Sequence, residues 1–231
     1  MCMKKNTSFL PDLFIFLVIL CFFLIPPFFS PHISGNNSPF LQWSFPFQQT
    51  IYAILSFFLY FIYKKRIIKE NENKINKIFR FPLIFTFSIL FFIQLIFKFI
   101  SMSKTVFSQN HNTIIPQINV LLPDSFITWL FCILNFLFSA FFEEVIYRFY
   151  LPMSLHSFFS QKSQENKAVF ILIEVICSLF FAFSHLYLGF LSVLNAFFAH
   201  LVLRTSFLIS KNIYCNTAAH FFYNVISLIL L

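Results

Sequence analysis

The chain has 231 residues, of which 59% are hydrophobic and only 10% are charged, and 41 are phenylalanine. Apolar stretches of about 20 residues recur along it, and this length crosses the hydrocarbon core of a bilayer. The composition excludes a soluble globular fold and predicts an all-α, polytopic transmembrane bundle. The formal charge of +8 does not indicate nucleic-acid binding, because the basic residues lie mostly at the ends of apolar stretches, where they orient membrane proteins.

Hydropathy predicts about seven spans, and local charge predicts their direction. Lys4 and Lys5 precede the first apolar run, but no small-residue cleavage site follows, so we expect an uncleaved first helix. The strongest basic cluster, between Lys64 and Arg80, follows the second span and is predicted to be cytoplasmic, together with the N-terminus. The predicted spans cover about residues 9–29, 43–63, 81–102, 125–151, 168–187, 190–209 and 213–231.

The fourth span contains two adjacent carboxylates and a guanidinium, in Glu143, Glu144 and Arg148. A charge at the bilayer centre costs roughly 2.5–3.5 kcal/mol on insertion scales, so intramembrane charges are candidates for function. Glu144 and Arg148 are four residues apart and can pair on one helix face, while Glu143 points roughly 100° away. A buried ion pair with a spare glutamate, or snorkelling toward the interface, explains the same residues without catalysis.

Two later spans carry polar residues at one-turn spacing, in Phe181-x-x-x-His185 and His220-x-x-x-Asn224. A histidine near a helix end is often interfacial, and a histidine–asparagine pair is often a hydrogen-bonded contact between packed helices. The sequence has no H-E-x-x-H, no G-x-S-x-G and no phosphate-binding glycine loop. The glutamates and histidines are therefore the chemical candidates.

Two further intramembrane residues compete with these candidates. Glu174 lies eleven residues before His185, on nearly the same helix face; it can pair with Arg148 or Arg204 or line a cavity, and we favour a structural ion pair. His200 lies one turn before Arg204 and is a candidate for a fourth histidine of the site.

The residue types leave two kinds of chemistry open. Glutamate with two histidines is typical of hydrolytic zinc sites, so the candidate ligands of a metal are Glu143, His185 and His220. The same groups can work without metal, with a Glu/His pair deprotonating water and His/Asn donors holding an oxyanion. We favour the metal-free form, because Asn224 beside a ligand histidine has no purpose in a zinc site beyond orienting that ligand.

Taken in order on successive spans, the three motifs resemble those of the CPBP family. This is also called the Abi or CAAX-protease-like family of intramembrane endopeptidases, and it includes the type II CAAX prenyl endopeptidases. The resemblance covers about residues 135–231 and extends to the pair Arg204-Thr205. One departure is Phe149, where the family usually has glycine after the motif arginine.

The resemblance implies a role for each motif residue. It places an active site among spans four, five and seven, with the catalytic residues Glu143, His185, His220 and Asn224. The glutamate would activate the attacking water with His185, while His220 and Asn224 would stabilise the tetrahedral oxyanion. Glu144 and Arg148 would form a supporting ion pair. Members of the family are commonly labelled metalloproteases.

The leading hypothesis is a multi-pass intramembrane endopeptidase of the cell membrane that cleaves a membrane-associated protein or peptide. Its expected partners are membrane lipid and that substrate, with no nucleic acid. Residues 1–124 would supply N-terminal helices and loops, and residues 125–231 the catalytic core, within one membrane domain. The alternative is a non-enzymatic protein, transporter-like or a bacteriocin-immunity factor, with the same residues in a polar cavity. Transporters often show repeated halves, and the sequence has no such repeat.

Overall fold

The computed structural model describes residues 9–26, 44–68, 80–109, 122–159 and 167–230. All regular elements in these ranges are helical, which confirms the predicted all-α fold. The helices are α1 (Phe9–Ile19), α2 (Phe47–Ile68), α3 (Arg80–Gln109), α4 (Phe126–Glu143), α5 (Leu151–Phe159), α6 (Lys167–Phe183), α7 (Phe190–Ser210) and α8 (Ile213–Leu230). A π-helical turn extends α1, a π-helical segment joins α4 to α5, and a 3₁₀ turn precedes α7; they cover Leu20–Leu24, Glu144–Tyr150 and Leu186–Leu188.

Each predicted span overlaps one or more of these helices. Four stretches are long and apolar enough to cross a membrane by length and composition: Leu83–Ser103, Phe126–Phe159, Phe190–Ser210 and Ile213–Leu230. A shorter apolar helix covers Pro11–Leu24. The protein is therefore a polytopic helical membrane protein, and the number of seven spans stays a prediction. Much of the basic cluster that predicts orientation lies outside the described residues, as do Lys4 and Lys5.

Local sequence explains where the helices of the C-terminal half begin. Ser125 accepts a hydrogen bond from the backbone N–H of Thr128, and its own N–H donates to the Thr128 hydroxyl, at 3.3 and 2.9 Å. This reciprocal capping box satisfies two donors at the start of α4. Gly189 has φ +97°, which residues with a side chain rarely adopt, and it turns the chain into α7. Asn212 accepts from two backbone N–H groups in the first turn of α8, at 3.0 and 3.2 Å.

The π-helical segment lies at the centre of the bundle. All seven of its residues are buried, and it contacts α2, α6, α7 and α8. Phe149 packs edge to face against Tyr60 of α2 and Phe207 of α7, with ring centroids 5.0 and 6.3 Å away. The Phe149 ring thus fills space between α2 and α7, at the position where the family that the motifs resemble usually has glycine.

Helices α3, α7 and α8 pack together on one side of the bundle. Their apolar contact includes Leu90, Ala199, Leu203, Ala219 and Tyr223. Gln94 of α3 accepts hydrogen bonds from Asn195 of α7 and Tyr223 of α8, each at 3.1 Å. The outer face of α3 carries Phe85, Phe92 and Phe99, which are 62–73% exposed. A stripe of exposed phenylalanines suits a lipid environment, where apolar surface is solvated by acyl chains.

Candidate active site

The three predicted motifs converge around one phenylalanine ring. Phe181 lies on α6, and its ring centroid is 4.8 Å from that of His185, which follows the helix, and 6.3 Å from that of His220 on α8. The central carbon of the Arg148 guanidinium lies 3.9 Å from the same ring. Phe181 is 2% exposed. Phe181 therefore does more than fill the core, because it separates the two motif histidines and the arginine from one another.

The predicted ion pair between Glu144 and Arg148 is present, but it is not the closest contact of Glu144. Arg148 Nε lies 3.4 Å from Glu144 Oε1, with both side chains fully buried, and this nitrogen has no hydrogen bond among the described residues. Backbone hydrogen bonds in a π-helix join residues five apart, so its turn is wider than an α-turn. Residues four apart are then no longer directly stacked. The guanidinium lies over Phe181, a favourable position for a cation.

Glu144 is bound most closely by α8. The Nδ1–H of His220 donates to Glu144 Oε1 at 2.9 Å, and Asn216 Nδ2 donates to Oε2 at 3.2 Å. A buried carboxylate is costly unless it is paired and hydrogen-bonded, and these two donors together with Arg148 meet that need. Spacing along the fourth span predicts only the arginine partner, so sequence reasoning missed the contact with the histidine.

His220 lies between the two adjacent glutamates. Its Nδ1 is bound to Glu144, and its Nε2 lies 3.7 Å from Glu143 Oε2. The Glu143 side chain is 20% exposed, and its Oε2 has no hydrogen-bond partner within the part of the chain that the structure describes. A histidine whose Nδ1 is held by a carboxylate presents Nε2 in a fixed direction. His220 therefore lies between Glu144, whose two oxygens are held by hydrogen bonds, and Glu143, whose Oε2 can accept a hydrogen bond from water or substrate.

His185 is oriented by its own helix end. Its Nδ1–H donates to the backbone carbonyl of Phe181 at 2.9 Å, and the Ser184 hydroxyl lies 3.2 Å from the same nitrogen. Because a carbonyl only accepts hydrogen bonds, Nδ1 carries the proton and Nε2 is the acceptor of the neutral ring. His185 is half-buried. This is the tautomer that a histidine needs in order to accept a proton at Nε2.

Two other predicted candidates have weaker support from the structure. Asn224 lies one turn beyond His220 on α8 and is half-buried, so its role at an oxyanion stays a prediction. His200 of α7 is fully buried, with its ring centroid 5.3 Å from that of Phe181. Neither of its ring nitrogens has a hydrogen-bond partner among the described residues. His200 therefore lies beside the site, and no hydrogen bond from a described residue assigns it a role.

The predicted structural ion pair of Glu174 is confirmed, and its partner is Arg204. Arg204 Nε and Nη2 donate to the two carboxylate oxygens at 2.7 and 2.5 Å. Its Nη1 also donates to the backbone carbonyl of Arg148 at 2.6 Å. Bidentate arginine–carboxylate pairs have a fixed geometry. This pair therefore anchors the π-helical segment to α6 and α7.

The three predicted metal ligands do not form a ligand set. Within the described ranges, no group of three or more His, Cys, Asp or Glu side chains is placed to hold a metal ion. His220 Nδ1 is occupied by Glu144, and His185 Nδ1 by a backbone carbonyl. Each ring keeps Nε2 free, and ligand histidines are commonly held at the other ring nitrogen in this way, so the choice between the zinc and the metal-free form stays a prediction.

Asn216 is the site residue that sequence reasoning missed most clearly. It lies one turn before His220, as Asn224 lies one turn after it, so the pattern N-x-x-x-H-x-x-x-N was visible in the sequence. Residues four apart share a helix face. The pattern therefore places all three residues on one face of α8, the face that meets the glutamates.

Together, the fold and the site define a multi-pass helical membrane protein with an enclosed glutamate–histidine centre. Residues 125–226 match the family model described as type II CAAX prenyl endopeptidase Rce1-like. This match confirms the resemblance predicted from the three motifs and supports a CAAX-protease-like enzyme. It falls within the predicted catalytic core, and the division of the chain at residue 124 stays a prediction. No curated protein and no solved structure matches the chain.

Proposed function

We propose that the protein is an intramembrane endopeptidase that hydrolyses a peptide bond of a membrane-associated protein or peptide. The observation that carries this proposal is the position of His220, with Nδ1 2.9 Å from Glu144 and Nε2 3.7 Å from Glu143. Acid–base catalysis needs groups fixed within reach of one reacting water. The family match over residues 125–226 supports the same activity.

In the proposed reaction, Glu143 and His185 activate the water. Glu143 Oε2 is free of hydrogen bonds from described residues, so it can take a proton from water that also donates to His185 Nε2. The resulting hydroxide attacks the carbonyl carbon of the substrate, and the carbonyl electron pair moves onto oxygen. Protonated Glu143 then gives its proton to the leaving amide nitrogen as the C–N bond breaks.

His220 and Asn224 stabilise the oxyanion in this proposal. His220 does so when both of its nitrogens are protonated, with Nδ1–H bound to Glu144 and Nε2–H donated to the developing negative charge. The Asn224 amide, one turn further along α8, supplies the second donor. Preorganised donors of this kind act strongly where water is excluded. Glu144 balances the charge of the imidazolium.

We place the protein in the cell membrane with its N-terminus in the cytoplasm, since basic residues collect on the cytoplasmic side of membrane proteins. The substrate would then reach the buried site from the lipid or from the cytoplasm, and closure of the bundle around it would exclude bulk water. Lipid and a membrane-associated peptide are thus the proposed partners.

Cleavage by the purified protein tests the proposed activity. The full chain in lipid vesicles is incubated with peptides that carry a prenylated C-terminal cysteine motif or the same peptide without prenyl, and products are identified by mass spectrometry. We expect cleavage by the wild type and a loss of roughly 10²–10³-fold in His220→Ala, the usual effect of removing one oxyanion donor. His156→Ala on α5 is the matched control. Equal cleavage by wild type and His220→Ala would remove the enzyme proposal and favour a non-enzymatic membrane protein.

The metal-free mechanism makes a separate prediction. Cleavage is expected to persist after dialysis against a chelator, because the carboxylates and imidazoles act directly on water and substrate. The measurement is metal content by elemental analysis alongside cleavage rate, before and after chelation. Stoichiometric zinc whose removal abolishes cleavage and whose return restores it would overturn this prediction, while leaving the endopeptidase activity in place.

A further inference from the structure

A line of buried hydrogen bonds runs from α3 to the histidine of α8. Thr86 donates to the hydroxyl of Ser206, which donates to Asn216 Oδ1, each at 2.8 Å. Asn216 Nδ2 donates to Glu144 Oε2 at 3.2 Å, and Glu144 Oε1 accepts from His220 at 2.9 Å. None of the five side chains is more than 6% exposed. The line therefore connects α3, α7, α8 and the π-helical segment without contact with solvent.

The amide of Asn216 has only one satisfactory orientation. Its Nδ2 also donates to the backbone carbonyl of Leu203 at 2.6 Å, so both of its protons point at acceptors. Turning the amide by 180° would set Oδ1 against that carbonyl and the Glu144 carboxylate, neither of which can donate while the carboxylate is ionised. Unsatisfied buried groups cost about 1–3 kcal/mol each. Leu203 and Ser206 thus fix the direction in which the amide donates.

A carboxylate turns easily about its last torsion, so a donor on each oxygen is needed to hold it. Glu144 has such donors in His220 and Asn216, whereas Arg148 Nε approaches at 3.4 Å without a hydrogen bond. With Oε2 held by Asn216, Oε1 is left to receive the Nδ1–H of His220. The protonation and orientation of His220 therefore depend on Asn216, although Asn216 makes no hydrogen bond to the imidazole itself.

We propose that Asn216 is a positioning residue that acts through Glu144 to keep Nδ1 of His220 protonated and to direct Nε2 toward Glu143. Its consequence for catalysis rests on the proposed endopeptidase activity. Its effect on the His220 imidazole does not rest on that activity, because the protonation of each ring nitrogen can be measured without substrate. An asparagine that only joined helices would stabilise the bundle and leave the imidazole unchanged.

The test compares Asn216→Ala with wild type, using the full chain labelled with ¹⁵N-histidine in nanodiscs. His220 ring nitrogens are assigned by their loss in His220→Gln. We expect a protonated Nδ1 in the wild type and, in Asn216→Ala, a shift of the His220 nitrogen signals that shows partial loss of the proton from Nδ1. With a cleavable prenylated peptide, kcat should fall roughly 10–100-fold, with KM changed less than about twofold.

Asn195→Ala is the matched control, because Asn195 is also an asparagine that bridges two helices, α7 and α3, but it donates to Gln94 at 3.1 Å. It should lower thermal stability by a similar amount and leave both the His220 signals and kcat unchanged.

If Asn216→Ala does not accumulate, Ser206→Ala removes the hydroxyl that fixes the amide and should give a smaller shift of the same kind. The proposal is overturned if the His220 nitrogens match the wild type in whichever variant folds. A shift in these signals from a protein that cleaves no peptide would instead sink the proposed function and leave the positioning role standing.

Discussion

Replacing Glu143 with glutamine should lower peptide cleavage by roughly 10²–10⁴-fold, the usual contribution of a general base. The amide keeps the size of the side chain but cannot accept a proton from water. The thermal stability should stay close to that of the wild type, since the side chain is 20% exposed and its Oε2 has no hydrogen bond from described residues. Initial rates of cleavage and unfolding temperatures in one detergent measure the two effects.

Asp12→Asn supplies a control for this experiment. It makes the same change from carboxylate to amide on α1, where Asp12 accepts a hydrogen bond from Tyr63 at 2.9 Å, and it should leave the cleavage rate unchanged. If Glu143→Gln retains a rate within about tenfold of the wild type, another group removes the proton from water, and the role assigned to Glu143 is wrong.

Replacing Arg148 with alanine should destabilise the protein by roughly 3–5 kcal/mol, the typical cost of removing one partner of a buried ion pair. The change leaves the Glu144 carboxylate, which is fully buried, without its arginine partner. It also removes the guanidinium from the face of Phe181. Accumulation in the membrane and unfolding temperature should therefore fall further than in Glu143→Ala, whose side chain is partly exposed.

A double variant separates the unpaired charge from lost packing. Glu144→Gln combined with Arg148→Met removes both charges and keeps much of the volume, so it should recover part of the stability that Arg148→Ala loses. Equal stability of Arg148→Ala and Glu143→Ala would contradict the assignment of Arg148 to support and of Glu143 to chemistry.

Apolar length was enough to predict the long helices, because crossing a bilayer requires about 20 apolar residues whatever their packing, but it missed most of α5, which lies beyond the predicted end of the fourth span at residue 151. It was not enough to predict the π-helical segment over Glu144–Tyr150. Residues four apart are compatible with either kind of turn, and the choice depends on contacts such as that of Arg204 with the carbonyl of Arg148. Those contacts join residues far apart in the chain, so the periodicity of residues within one span does not predict them.

The difference between local pattern and contacts between helices also explains which features of the site the sequence predicted. The motif residues Glu143, His185 and His220 were found because charged and polar groups are rare inside a membrane and so stand out in the sequence. Their partners were predicted less well, since one-turn spacing assigned Glu144 to Arg148 while the shorter contact joins it to His220. Partner choice between helices depends on how they rotate against each other, and no single span contains that information.

The π-helical segment also bears on how this chain can change in length. A π-turn takes up one residue more than an α-turn, so deleting one residue between 144 and 150 would let an ordinary α-helix run from α4 into α5. The side chains on either side of the deletion would keep roughly their present directions, because the wide turn and the shorter α-turn rotate the chain by a similar angle. The extra residue thus changes which side chains meet at the buried centre and leaves the outer faces of α4 and α5 much as they are.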